Sequence, residues 1–158
     1  MKKIILLLLL FSGKLIAQEI PNVTLENLDG QSIAIAEIIA SNDKPIVFTF
    51  WATWCIPCLN ELSSINDELD EWKTKYKFDF YAVSTDDDRT VKKVASLVNG
   101  KNWGFNILLD TNQDLKRQLN INSIPYMIIV KNGKIIYKKS GFVKGEETII
   151  EKIIADNQ

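Results

Sequence analysis

Between residues 46 and 51 the chain reads Ile-Val-Phe-Thr-Phe-Trp, a β-branched and aromatic run with almost no polar relief. A strand buried on both faces of a sheet has this pattern. Beyond it the apolar positions change period: Leu59, Leu62, Ile65, Leu69, Trp72 and Tyr76 recur at spacings of three and four, which predicts an amphipathic helix facing a core. Strand and helix patterns then alternate. Residues 78–84 read as a strand, and 90–98 as a helix ended by Asn99-Gly100. Residues 106–109 read as a short strand, and a helix capped by Thr111 or Asn112 runs to about Leu119. Residues 126–130 form a strand, Asn132-Gly133 a tight turn, and 135–137 its antiparallel partner. A last helix covers 146–155 through Ile149, Ile150, Ile153 and Ile154.

Before residue 46 the pattern is weaker. Residues 20–25 read as extended, Asp29-Gly30 as a turn, 32–35 as a returning strand and 36–40 as a helical turn, followed by the polar stretch 41–45. The order is an opening hairpin followed by β-α-β-α-β-α-β-β-α. Helices between strands imply crossover connections, so the predicted class is α/β, a mixed sheet flanked by helices and closed by an antiparallel hairpin.

The first residues stand outside this pattern. Met1-Lys2-Lys3 is a positive start, 4–11 is an unbroken apolar run of eight, and a polar break leads to Leu15-Ile16-Ala17 before Gln18. This is the layout of a secretory signal peptide, and the run is far below the roughly 20 residues of a membrane helix. The expected division is a signal peptide over 1–17 and one domain over 18–158, in an exported, periplasmic or otherwise extracytoplasmic protein. An uncleaved N-terminal anchor is the alternative. A length of 158 residues, 46% hydrophobic and 25% charged, suits a single packed domain. A formal charge of −1 offers no basic surface for nucleic acid. The acidic cluster Asp86-Asp87-Asp88 lacks the glycine and the distant Glu of a calcium loop and reads as a solvated turn.

The only two cysteines are Cys55 and Cys58. A staple in a secreted protein joins distant segments, and this pair closes a very short loop. A structural zinc site wants four ligands, and the chain has no histidine and no second cysteine pair. No metal and no cofactor beyond a redox-active disulfide is expected. Cys-Ile-Pro-Cys between a buried strand and an amphipathic helix is a redox pattern. It puts Cys55 at the helix N-terminus, where free N–H groups and the macrodipole favour a thiolate. Pro57 suits the first helical turn. Cys55 is therefore the expected exposed attacking sulfur, and Cys58 the more buried resolving one. Trp51 and Trp54 flank the site, Trp51 as readily by core packing as by substrate contact.

The segment 50–58, Phe-Trp-Ala-Thr-Trp-Cys-Ile-Pro-Cys, resembles the active site of the thioredoxin superfamily, above all its secreted TlpA/ResA-like branch with the pattern W-A-x-W-C-x-P-C. The likeness runs from about Ile20 to the C-terminus. It implies a thioredoxin fold with an added N-terminal β-hairpin, an inserted segment near 86–110 after the second core strand, and thiol–disulfide oxidoreductase activity. It implies a cis-proline before the third core strand, which falls on Ile124-Pro125, and a substrate surface made of Trp54, Ile56, Pro57, Ile124 and Pro125. It also implies that Glu61, three positions after the second cysteine, tunes proton transfer. Thioredoxins proper carry a buried Asp in the preceding strand, where this chain has Thr49, a departure that favours the secreted branch. The implied partners are protein thiols or disulfides, apocytochrome c thiols among them, and a membrane thiol electron donor, with the chain acting as a monomer. Within redox chemistry a reductase is expected first, with an oxidase or isomerase as the alternative; a non-catalytic thiol-based binding module is a third reading. The P-x-x-x-T-x-x-C signature of peroxiredoxins fails: Pro45 and Thr49 are spaced correctly, but position 52 is Ala52.

Overall fold

A computed structural model describes residues 19–40 and 43–158. The expected signal peptide and the residues at 41 and 42 lie outside the described residues. Seven strands and five helices follow in the order β1 (Thr24–Asn27), β2 (Ser32–Ala34), α1 (Ile35–Ala40), β3 (Ile46–Trp51), α2 (Ile56–Lys75), β4 (Asp79–Ser84), α3 (Lys92–Lys101), β5 (Asn106–Leu109), α4 (Asp114–Gln118), β6 (Tyr126–Lys131), β7 (Lys134–Ser140) and α5 (Glu147–Asp156). They form one sheet with strand order β2-β1-β5-β4-β3-β6-β7. β3 runs parallel to β4, and β4 to β5, while β3–β6, β6–β7 and the β1 pairings are antiparallel. The opening hairpin thus extends the sheet along β5, and the segment near 86–110 supplies α3 and β5.

Two cores follow from the pleat of β3, whose six residues are all buried. Val47 and Trp51 face a cluster with Leu62, Ile65, Leu69 and Trp72 of α2, Val94 and Val98 of α3, and Ile150 and Ile154 of α5. Ile46, Phe48 and Phe50 face the other side, with Ile35 and Ile38 of α1 and Leu115 of α4. A strand with no polar face is covered on both sides, as its composition requires.

Two boundaries differ from the sequence expectation. α3 runs through Asn99-Gly100 and stops at Lys101, because Asn102 takes the left-handed conformation (φ 52°) that ends a helix. Neither Thr111 nor Asn112 caps α4. Asp110 does so, its carboxylate accepting the N–H groups of Leu115 (3.2 Å) and Lys116 (2.9 Å). Asp110 ends up buried, which pushes its carboxyl above the usual range.

Candidate active site

β3 points Trp51 into the core and delivers residues 52–55 at the carboxyl end of the sheet. Cys55 is the N-cap of α2 in an extended conformation (φ −91°, ψ 93°), with Pro57 in the first turn. Its sulfur accepts the Cys58 N–H at 3.3 Å and is bonded to the Cys58 sulfur. A sulfur in that position receives the free N–H groups and the positive end of the helix dipole, so negative charge on it is stabilised. The order of burial matches expectation, but Cys55 is less open than anticipated: it keeps 5% of its surface against 0% for Cys58.

Register explains how distant residues meet here. Phe50 pairs with Tyr126 across the antiparallel β3–β6 ladder, so Pro125 sits level with the end of β3 beside the cysteine loop. The Ile124–Pro125 bond is cis and Pro125 is buried, its carbonyl accepting the Gly141 N–H at 2.8 Å. Trp54 and Ile56 stand 64% and 71% exposed on either side of Cys55, and Pro57 is exposed next to them. Trp51, in contrast, is fully buried, edge-on to Trp103 with ring centroids 5.3 Å apart. Of the two tryptophans only Trp54 is presented to solvent.

Glu61 is on the same face of α2 as Cys58, one turn further along, and is 1% exposed. Its Oε2 accepts the Thr49 hydroxyl at 2.8 Å. Burial pushes its carboxyl up to about 7, against the pull of the Thr49 hydrogen bond and of the Lys139 charge. Thr49 of β3 therefore joins Glu61 directly. Both come from one face of the structure, β3 beneath α2.

Two groups at the site escaped the sequence reading. The first is Asp86, expected in a solvated turn and found 1% exposed. Because Trp51 pairs with Ser84 in the parallel β3–β4 ladder, Asp86 is level with Thr53. Its carboxylate accepts the Thr53 N–H (2.9 Å) and hydroxyl (2.6 Å) and the Ser84 hydroxyl (2.8 Å), fastening the loop that leads into Cys55. Asp87 is partly exposed and Asp88 exposed, as expected of a solvated turn. The second is Lys139 on β7. Met127 pairs with both Thr49 and Lys139, so these three cross the sheet in one row on the face beneath α2. The signal was present: Lys139 is in phase with the half-buried Tyr137, an inward position for a charge.

Comparisons with known proteins agree with this geometry. The AhpC/TSA family model matches residues 16–144. The thiol-disulfide oxidoreductase ResA of Bacillus anthracis is 26% identical over 134 residues, covering 84% of this chain and 72% of that protein. Among solved structures, a thioredoxin-like protein from Porphyromonas gingivalis is 35% identical, with a TM-score of 0.76 over 87% of this chain and 90% of that one. StoA from Bacillus subtilis, 20% identical, shares the fold with a TM-score of 0.67 over 84% of this chain and 97% of that one. Where the peroxiredoxin signature would put its cysteine, the chain has the buried Ala52. The chain belongs to the AhpC/TSA family, as a TlpA/ResA-like thiol–disulfide oxidoreductase of the thioredoxin superfamily.

Proposed function

We propose that the chain is an extracytoplasmic reductase that passes two electrons from the Cys55–Cys58 dithiol to disulfides of protein substrates. The observation that carries this is Cys55 itself, the N-cap of α2 with its sulfur on the Cys58 N–H and the remaining accessible surface of the pair. In the reduced form the Cys55 thiolate attacks one sulfur of a substrate disulfide. That bond breaks, its electron pair leaves on the second substrate sulfur as a thiolate, and a mixed disulfide joins Cys55 to the substrate. The Cys58 thiol then gives its proton to the Glu61 carboxylate and attacks the Cys55 sulfur, expelling the first substrate sulfur as a thiolate. The chain is left as the Cys55–Cys58 disulfide, and a membrane thiol donor restores the dithiol.

A carboxyl with a proton affinity near neutrality suits both taking up that proton and giving it away again. Trp54, Ile56 and Pro57 on one side and Ile124-Pro125 on the other are the surface on which an extended substrate segment lies. The N-terminal pattern supports export. Among the described residues, no helix is long and apolar enough to cross a membrane.

The test is the reduction potential of Cys55–Cys58, equilibrated in graded thiol/disulfide buffers and read by tryptophan fluorescence and thiol labelling. A value at or below about −250 mV supports the reductase, and one above about −200 mV replaces it with an oxidase or isomerase. Failure to form the disulfide at any poise would remove the catalytic reading altogether.

A further inference from the structure

Glu61 has one carboxylate oxygen satisfied by Thr49, while the other, Oε1, accepts no hydrogen bond among the described residues and faces the Lys139 ammonium at 3.8 Å. The same Nζ lies 2.6 Å from Oε2 of Glu146, in the turn before α5. The Lys139 side chain is 9% exposed, that of Glu61 1%, and that of Glu146 33%. Phe142 supports the ammonium from the side, its ring centroid 5.2 Å away. One cation is therefore placed between two carboxylates, one inside and one at the surface.

We propose that Lys139 is the positioning residue of Glu61, with its ammonium divided between Glu61 and Glu146, so that the surface carboxylate governs the charge the buried one carries. The physical reason is charge balance at low dielectric. With both carboxylates ionised, the trio carries a net negative charge in a largely water-excluded place, which is costly. With Glu61 protonated the trio is neutral. Glu146 is closer to the cation and keeps part of its hydration, so it holds Lys139 more firmly, and its own carboxyl is held below the usual range by that contact. Glu61 receives only the remainder. Oε1 is the open side of the carboxyl, where a proton can be received without breaking the Thr49 bond.

The groups facing Glu61 are drawn from every packed element: Thr49 from β3, Lys139 from β7, Glu146 from the turn before α5, and Cys58 from α2. Glu147, which starts α5, accepts a hydrogen bond from the Ser64 hydroxyl of α2. It is anchored there, and the Lys139 charge reaches it as the least of the influences on its carboxyl. The coupling itself stands on this geometry; only its consequence for disulfide exchange rests on the reductase reading.

The two partners pull Glu61 in opposite directions, and that gives the test. Carboxyl-carbon NMR of the oxidised full chain, with the Glu61 signal assigned by its loss in Glu61→Gln, reads the Glu61 titration midpoint directly. In Lys139→Met the midpoint rises by about one pH unit or more, because an opposite charge at this range is lost. In Glu146→Gln it falls, because the ammonium is released to Glu61. Lys139→Arg keeps the charge and leaves the midpoint between those two. Shifts of the same sign in Lys139→Met and Glu146→Gln, or no shift in either, overturn the proposal. Should Lys139→Met not fold, the fall in Glu146→Gln decides alone, and its absence overturns the proposal. The pH profile of exchange in Glu146→Gln separates the two readings. Opposite shifts with an unmoved profile leave the coupling intact and remove Glu61 as the proton acceptor of Cys58.

Discussion

Glu61 is a single side chain whose surroundings set a measurable property of the whole protein. Its carboxyl binds a proton more tightly in the folded chain, near pH 7, than in the unfolded chain, near pH 4.5. Between those values the folded state holds more protons, so stability falls as pH rises through the window. Below it the contribution is fully present, and above it the loss is complete, at about 3 kcal/mol. Chemical denaturation of the oxidised protein and of Glu61→Gln across pH 4 to 8 isolates the effect. The stability of the wild type relative to the variant is expected to drop by that amount, and a flat difference would refute the raised affinity. Asp86 is the other residue whose role is local and decisive. Its replacement by Ala leaves the Thr53 N–H and hydroxyl without their acceptor, and about 2–3 kcal/mol of stability goes with it. Because Thr53 leads into Trp54 and Cys55, the emission of Trp54 is expected to shift as well. A variant with unchanged denaturation midpoint and emission would show that the loop is held by other contacts.

Helix ends decided more at the level of elements than helix stripes did. The stripe of α2 is readable because six apolar residues at helical spacing meet one core. Its start is readable because Pro57 suits a first helical turn and the stripe begins directly after the strand run and the cysteine motif. α4 has no such local signature. It spans only Asp114–Gln118 and begins after the left-handed Gln113, with its cap supplied by Asp110 from the end of β5. Asp110→Ala is expected to cost about 1–2 kcal/mol and to speed amide exchange in α4 ahead of the other helices. Uniform exchange in that variant would mean that Leu115 packing, and not the cap, holds the helix. α3 is a similar case. Asn99-Gly100 is a reasonable stop signal, but Val98 is buried against the sheet and one further turn of helix keeps it there.

On the scale of the molecule, the sheet divides the interior into two cores that share strands but no fully buried side chain, with the half-buried Ile124 touching both at the site. Ile65 of α2 lies in one and Leu115 of α4 in the other, both fully buried. Truncation of each to Ala is expected to cost about 2–5 kcal/mol. The two costs are expected to add to within about 0.5 kcal/mol in the double variant, since the sites have no common partner. Denaturant unfolding of the two single variants and the double checks this, and a coupling well above that size would show that the sheet transmits strain between its faces.

Local patterns along the chain were enough for the order of elements, the α/β class, the double burial of β3 and the place of the cysteine pair. Each of these rests on local information: an apolar period, a turn dipeptide, a residue type suited to a helix start. The sequence also placed the proline that the structure finds in cis and the carboxyl at Glu61, though only by likeness to a family pattern. Which residues from separate strands share a level emerged only once the sheet was assembled. Asp86 reaches Thr53 because β3 and β4 run parallel in one register, and Lys139 reaches Glu61 because Met127 aligns β7 with β3. Register is a relation between segments tens of residues apart in the chain, and no local pattern carries it. In the sequence Asp86 is one of three adjacent acids and Lys139 one of two adjacent lysines; strand phase hints at which lysine turns inward, but only the sheet brings each charge to its partner.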